Sequence, residues 1–158
     1  MLYNALLATH SWLRWAVLLL GLLAIARALA GHLGGRSWGR SDDRTAMLFT
    51  TGLDVQMLLG VILYFALSPV TGEGMRDFGA AMGNAAMRFW TVEHPFGMLL
   101  GLALAHVGRA RIRKTADAVR RHRVALIFFT LSMLVILATI PWPFRAYGRP
   151  LFRALTFS

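Results

Sequence analysis

Residues 5–30 read ALLATHSWLRWAVLLLGLLAIARALA, with only Arg14 and Arg27 charged. About 20 apolar residues are enough to cross the hydrocarbon core of a bilayer. Three more stretches of that kind follow, at about 45–67, 89–107 and 124–140. Each ends at a breaker: Gly31-His32-Leu33-Gly34-Gly35-Arg36, then Ser68-Pro69, then the arginine-rich run from Arg109 to Arg123, then Pro141-Trp142-Pro143. No period-2 alternation is present, and an open sheet cannot satisfy its backbone in lipid, so the spans are expected to be helices. Short linkers make successive helices antiparallel neighbours. The expected fold is therefore all-α: one membrane-spanning four-helix bundle over residues 1–158, with an interfacial tail at 144–158.

Composition agrees. The chain is 57% hydrophobic and 15% charged, with a mean hydropathy of +0.56. Soluble domains are roughly 45–50% apolar and about 25% charged, so a soluble enzyme is excluded. The N-terminal Met1-Leu2-Tyr3-Asn4 has no basic region, and the apolar run behind it is too long for a signal core, so the first span is expected to be retained.

Seventeen Lys and Arg against seven Asp and Glu give a net charge of +10. Nucleic acid is not the expected partner, because the basic residues flank apolar spans. That placement fits bilayer orientation and contact with anionic lipid headgroups. The linkers 31–44 and 109–123 hold most of the basic residues and should face the cytoplasm. The middle loop 68–88 balances Glu73 and Asp77 against Arg76 and Arg88, and should face outward with both termini. A multi-pass protein of a bacterial inner membrane is the expected location. Ser41 or Asp42 is expected to cap the second helix. In the tail, Arg145, Arg149 and Arg153 recur at four-residue spacing among Phe144, Leu151, Phe152 and Leu155, which reads as an interfacial amphipathic segment broken at Pro150.

Cysteine is absent, which removes disulfides, thiolate catalysis and covalent haem attachment. The chain also lacks nucleotide-binding loops, a metalloprotease motif and a nucleophile elbow. What remains is histidine. His10 and His94 each lie about five residues inside the outer end of a span, so they share a depth of roughly 7–9 Å. Two imidazoles at one depth on two helices suit the iron of a b-type haem. Gly97, Gly101 and Gly108 follow His94 on a small-residue face that either makes room for a porphyrin or lets helices approach closely. His106 and His122 form a weaker second candidate near the cytoplasmic side. His106 is twelve residues beyond His94, about 120° round the helix.

Arg14 and Asp54 both fall near the midplane, where an ionisable group is costly without a partner. They are expected to pair between spans one and two. The pair either fixes packing or belongs to a proton or quinone site. Glu93 is the candidate to orient His10 from behind, as carboxylates do for ligating histidines.

The segments His10-Ser11-Trp12-Leu13-Arg14-Trp15, Val92-Glu93-His94-Pro95, Ala105-His106-Val107-Gly108-Arg109 and His122 to Phe129 resemble small bacterial four-helix membrane proteins labelled cytochrome b-like. The resemblance covers spans one, three and four. It implies a four-helix membrane bundle with haem ligands among His10, His94, His106 and His122. An electron carrier exchanging with a quinone or a membrane redox complex is the resulting expectation. A haem-free accessory subunit of a larger membrane complex is the alternative.

Overall fold

Helix is what an apolar chain forms when its backbone must satisfy itself, and the computed structural model, which describes residues 1–153, is helical throughout its regular structure. The order is α1 (Leu2–Leu33), α2 (Arg40–Ile62, continued by a π-helical turn over Leu63–Leu67), α3 (Pro69–Arg76), α4 (Phe78–Gly83), α5 (Ala85–Arg88), a second π-helical turn over Phe89–Glu93, α6 (His94–Lys114) and α7 (Arg120–Thr139). Three helical stretches, Leu2–Leu33, Arg40–Leu67 and Arg120–Thr139, are long and apolar enough to cross a membrane. The fourth long helix, α6, is less apolar because His94, His106, Arg109 and Arg111 lie along it.

The four long helices pack in a ring: α1 on α2, α2 on α6, α6 on α7 and α7 on α1. Helices α1 and α6 therefore stand diagonally opposite. The most extensive contact is between α6 and α7, and glycine makes it. A Cβ at Gly97 would collide with Thr139, one at Gly101 with Ile136, and one at Gly108 with Phe128. The approach is close enough for Ser132 Oγ to donate to the Gly101 carbonyl at 2.7 Å. The glycine face of α6 thus serves helix packing. Below it Phe49 and Phe129 meet edge to face at 5.4 Å in the core.

Asp42 ties together the end of the bundle at the α1–α2 linker. Gly39 caps α2, and Asp42, three residues on, reaches back to accept the Gly39 N–H at 3.0 Å. The expected cap at Ser41 or Asp42 is thus displaced by the capping-box geometry, in which the acidic residue sits at the third helical position. The same carboxylate, 2% exposed, accepts from Arg27 Nη2 at 2.8 Å and from Arg36 Nη1 at 2.8 Å. It joins α1, the linker and α2.

At the other end the expected loop 68–88 is three short helices, α3 to α5. Its turn residues cap them: Asp77 Oδ1 accepts from Ala80 N at 2.9 Å, and Asn84 Oδ1 from Ala86 N and Met87 N at 3.0 Å each. The helix expected from position 89 begins earlier, because α5, the π-helical turn and α6 run on continuously from Ala85 to Lys114. Pro95 sits just past the π turn. It has no N–H for the carbonyl of Thr91, four residues back. That carbonyl accepts instead from Tyr64 Oη at 2.8 Å, which pins α6 to the end of α2.

Over its described residues, 144–153, the tail forms no helix. Pro143 and Pro150 withhold two backbone donors, and the chain folds in turns against the bundle. Trp15 Nε1 and Arg14 Nη2 both donate to the Leu151 carbonyl, at 3.0 and 2.8 Å, and Trp12 Nε1 donates to the Arg153 carbonyl at 3.0 Å. Phe152 packs on Trp12 and Trp15, Tyr147 stacks on Phe89 at 3.8 Å, and the Arg149 guanidinium lies over Trp90 at 5.0 Å. Leu155 and the rest of the expected segment at 154–158 lie outside the described residues.

Removing the Asp42 carboxylate should strand two arginines. Asp42→Asn is expected to cost about 2–4 kcal/mol, with part recovered in Asp42→Asn/Arg27→Met, because the penalty comes from charge left unpaired. Thermal unfolding in detergent checks this. An unchanged midpoint for the single variant would show that Asp42 is not the anchor.

Candidate histidine site

His94 stands at the start of α6 and faces the interior. Its Nδ1 lies 2.8 Å from the carbonyl of Thr139, the last residue of α7. That oxygen is available for a local reason: α7 ends there, and the residue four positions on is Pro143, which has no N–H to give. A carbonyl can only accept, so Nδ1 carries the proton and Nε2 keeps its lone pair. This is how ligating histidines are held, with the second nitrogen donating to a backbone oxygen. Phe89 and Trp90 flank the ring at 5.7 and 5.5 Å.

His10 approaches from α1, across the diagonal. Its carbonyl accepts from Gln56 Nε2 at 2.9 Å, and its Nδ1 is buried with no hydrogen-bond partner among the described residues. Gly60 lets α2 lie against the ring; a Cβ there would stand 3.3 Å from His10 Cε1. The sequence expectation needs spans one and three close together. The diagonal arrangement meets that need by bringing the two rings to one space in the interior.

Both histidines border three cavities. One of about 310 Å³ opens between α2 and α6, lined by Gln56, Gly60, Phe65, Pro95 and Leu102 among others. Two smaller ones, about 80 Å³ each, lie toward α7 and the tail and toward α3. No Asp or Glu lines any of the three among the described residues, while Arg14, Arg149 and Arg153 line the tail-side cavity. Among the described residues, three unpartnered buried polar atoms belong to residues lining these cavities, His10 Nδ1, Arg14 Nε and Gln56 Oε1, while those of Thr91, Arg109 and His122 lie elsewhere. Native structures leave few such atoms, and a cluster of them marks a place where something else supplies partners.

Three expected pairings do not form. Asp54 does not meet Arg14; its Oδ1 lies 2.7 Å from His106 Nε2 across the α2–α6 seam. Asp54 turns toward α6 and is about half exposed, whereas Arg14 leans toward the tail. Glu93 does not orient His10 but pairs with Arg88 Nε at 2.7 Å, five residues back on its own helix. His106 and His122 do not share a site. The 120° between His94 and His106 sends His106 to the α2 side, while His122 is fully buried against Gly31 and Trp38 at the α1 side. Beside the Asp54–His106 pair, Arg109 Nη1 donates to Thr50 Oγ1 at 2.9 Å, so this part of the seam is a polar ladder.

Sequence reasoning did not find Thr139, Gln56 or Tyr64 as members of the site. Prolines were the available signal for two of them, since Pro143 and Pro95 free the carbonyls that receive His94 and Tyr64.

A double-mutant cycle separates the observed pairing from the expected one. Asp54→Ala and His106→Ala should couple by about 1 kcal/mol in stability, as contacting residues do, and Asp54→Ala with Arg14→Leu should be additive. Coupling confined to Asp54 and Arg14 would contradict the arrangement. Compared with known protein families, with curated proteins and with solved structures, the chain matches none.

Proposed function

We propose that this protein is a small b-type cytochrome of a bacterial inner membrane, a four-helix bundle with both termini outside, carrying one haem between His10 and His94. The observation that carries the reading is the pair itself: two partly buried imidazoles from diagonal helices on one cavity system, with His94 Nε2 left free by the Thr139 carbonyl and His10 Nδ1 without a partner among the described residues. The apolar walls suit a porphyrin, and the surplus of guanidinium without carboxylate suits an anionic one. Supporting the fourth span, the continuous helix from Ala85 to Lys114 is long enough to cross, at roughly 1.5 Å per residue.

When bound, haem iron supplies one-electron exchange. The chain's own residues do the rest. His10 and His94 would hold the iron, the Thr139 carbonyl fixes the His94 tautomer, and Gln56 holds the α1 backbone behind His10. The electron partner in this reading is a quinone or a membrane redox complex. The resemblance to cytochrome b-like membrane proteins supports a bis-histidine site, and the packing of His122 and His106 supports one haem. In the haem-free accessory reading, the glycine face of α6 and the basic linkers would dock the chain to a larger complex or to anionic lipid; the glycine face is already buried against α7, which leaves the linkers for that role.

His10→Ala and His94→Ala should each abolish a low-spin reduced spectrum in haem-supplemented, detergent-purified protein, while His106→Ala and His122→Ala should keep it. A low-spin spectrum retained in both outer variants would overturn the site, and no haem uptake by wild type would overturn the function. Reporter fusions at 36–44 and 110–121 should read cytoplasm, and those at 71–77 the outer side. An outer-side signal from 110–121 would invert the orientation.

A further inference from the structure

The tail-side cavity holds more charge than a haem-iron site requires. Arg14, Arg149 and Arg153 line it together with His10 and His94, and no acidic side chain among the described residues lines it. Three guanidiniums facing one enclosed space repel one another, and burial in an apolar bundle makes that costlier. Two of them are already held in place. Arg14 lies 5.2 Å from the Trp15 ring centroid and Arg149 lies 5.0 Å from that of Trp90. Arg14 Nη2 is satisfied by the Leu151 carbonyl, but its Nε is buried with no partner. Arginines fixed by aromatic faces, with donors to spare and no anion of their own, form a receptor for a carboxylate.

The backbone carrying Arg149 and Arg153 is tied to α1 by the three hydrogen bonds to the Leu151 and Arg153 carbonyls, and to the start of α6 by Tyr147 on Phe89. It crosses from the end of α7 to both histidine-bearing helices.

We infer that Arg14, Arg149 and Arg153 form a carboxylate clamp on the tail side of the histidine pair, and that residues 141–153 are the strap that holds it shut. The ligand class is a flat apolar ring bearing two carboxylates at one edge. The inference rests on the haem reading, in which those groups are the two propionates. The clamp contributes affinity and fixes which edge of the ring faces the tail; it takes no part in ligating iron.

The test compares two probes on one apoprotein. Protohaem and its dimethyl ester differ only in whether the two acid groups are charged. Both are titrated optically into detergent-solubilised full chain. Wild type should bind protohaem at least about tenfold more tightly than the ester, the worth of one net charge-assisted hydrogen bond. In Arg149→Gln/Arg153→Gln the ratio should fall to within about threefold. Trp12→Phe/Trp15→Phe, which removes two of the donors that tie the strap while leaving every arginine, should also lower the ratio and speed haem loss to an acceptor protein. Arg111→Gln/Arg113→Gln, at the far end of α6, should keep the wild-type ratio.

If neither porphyrin gives a low-spin spectrum with wild type, the haem reading falls and the clamp with it. If protohaem binds low-spin but wild type does not discriminate, or the tail variants discriminate as well as wild type, the clamp alone is overturned. Equal loss in the far-end control would also overturn it, because net charge would then explain the preference.

Discussion

The contact between α6 and α7 is the one on which the rest depends. Glycine at 97, 101 and 108 brings the α7 side chains onto the α6 backbone, and no larger residue fits there without moving a helix. With α6 drawn to α7, its other side meets α2 less closely, and the cavity of about 310 Å³ lies along that seam. Without a hydrophobic force between helices in lipid, such close packing is a main source of association. The bundle is tight on one seam and open on the adjacent one, and the two histidines sit where the open seam reaches the interior.

Proline supplies the second theme. Pro95 and Pro143 each leave a carbonyl without its helical donor. In an apolar bundle such an oxygen must find another. Thr91 finds Tyr64, and Thr139 finds His94. The same defect that ends or bends a helix thus orients a side chain on a neighbour. The orientation of His94 is a by-product of where α7 stops.

Much of the fold was legible because it follows from length and hydropathy. The apolar stretches at 5–30, 45–67, 89–107 and 124–140 fall on the four long helices, but the helices run on into the expected linkers: α2 starts at Arg40, α6 reaches Lys114 and α7 starts at Arg120. Depth along the spans placed His10 and His94 at one level, and both border the same cavities. Pairings across helices were not legible. Whether Asp54 meets Arg14 or His106 depends on how α2 is rotated about its axis, and a nearly uniform apolar surface gives no stripe from which to read that rotation. Glu93 illustrates the local competitor: Arg88, five residues back along the same helical run, reached it before any group on another helix. The docking of the tail was not legible, because the four-residue arginine spacing does not show that the indoles of Trp12 and Trp15 donate to the carbonyls of Arg153 and Leu151.

The strap across the histidine cavity also has a position in time. Its residues follow all of α1 to α7 in the chain, so the helices that carry His10 and His94 are synthesised before the segment that shuts them in. During that interval the cavity is a partly built vessel without its lid. Anything bulky and rigid that occupies it has a natural order of assembly, entering the open bundle first and being sealed in as residues 141–153 fold back onto Trp12 and Trp15.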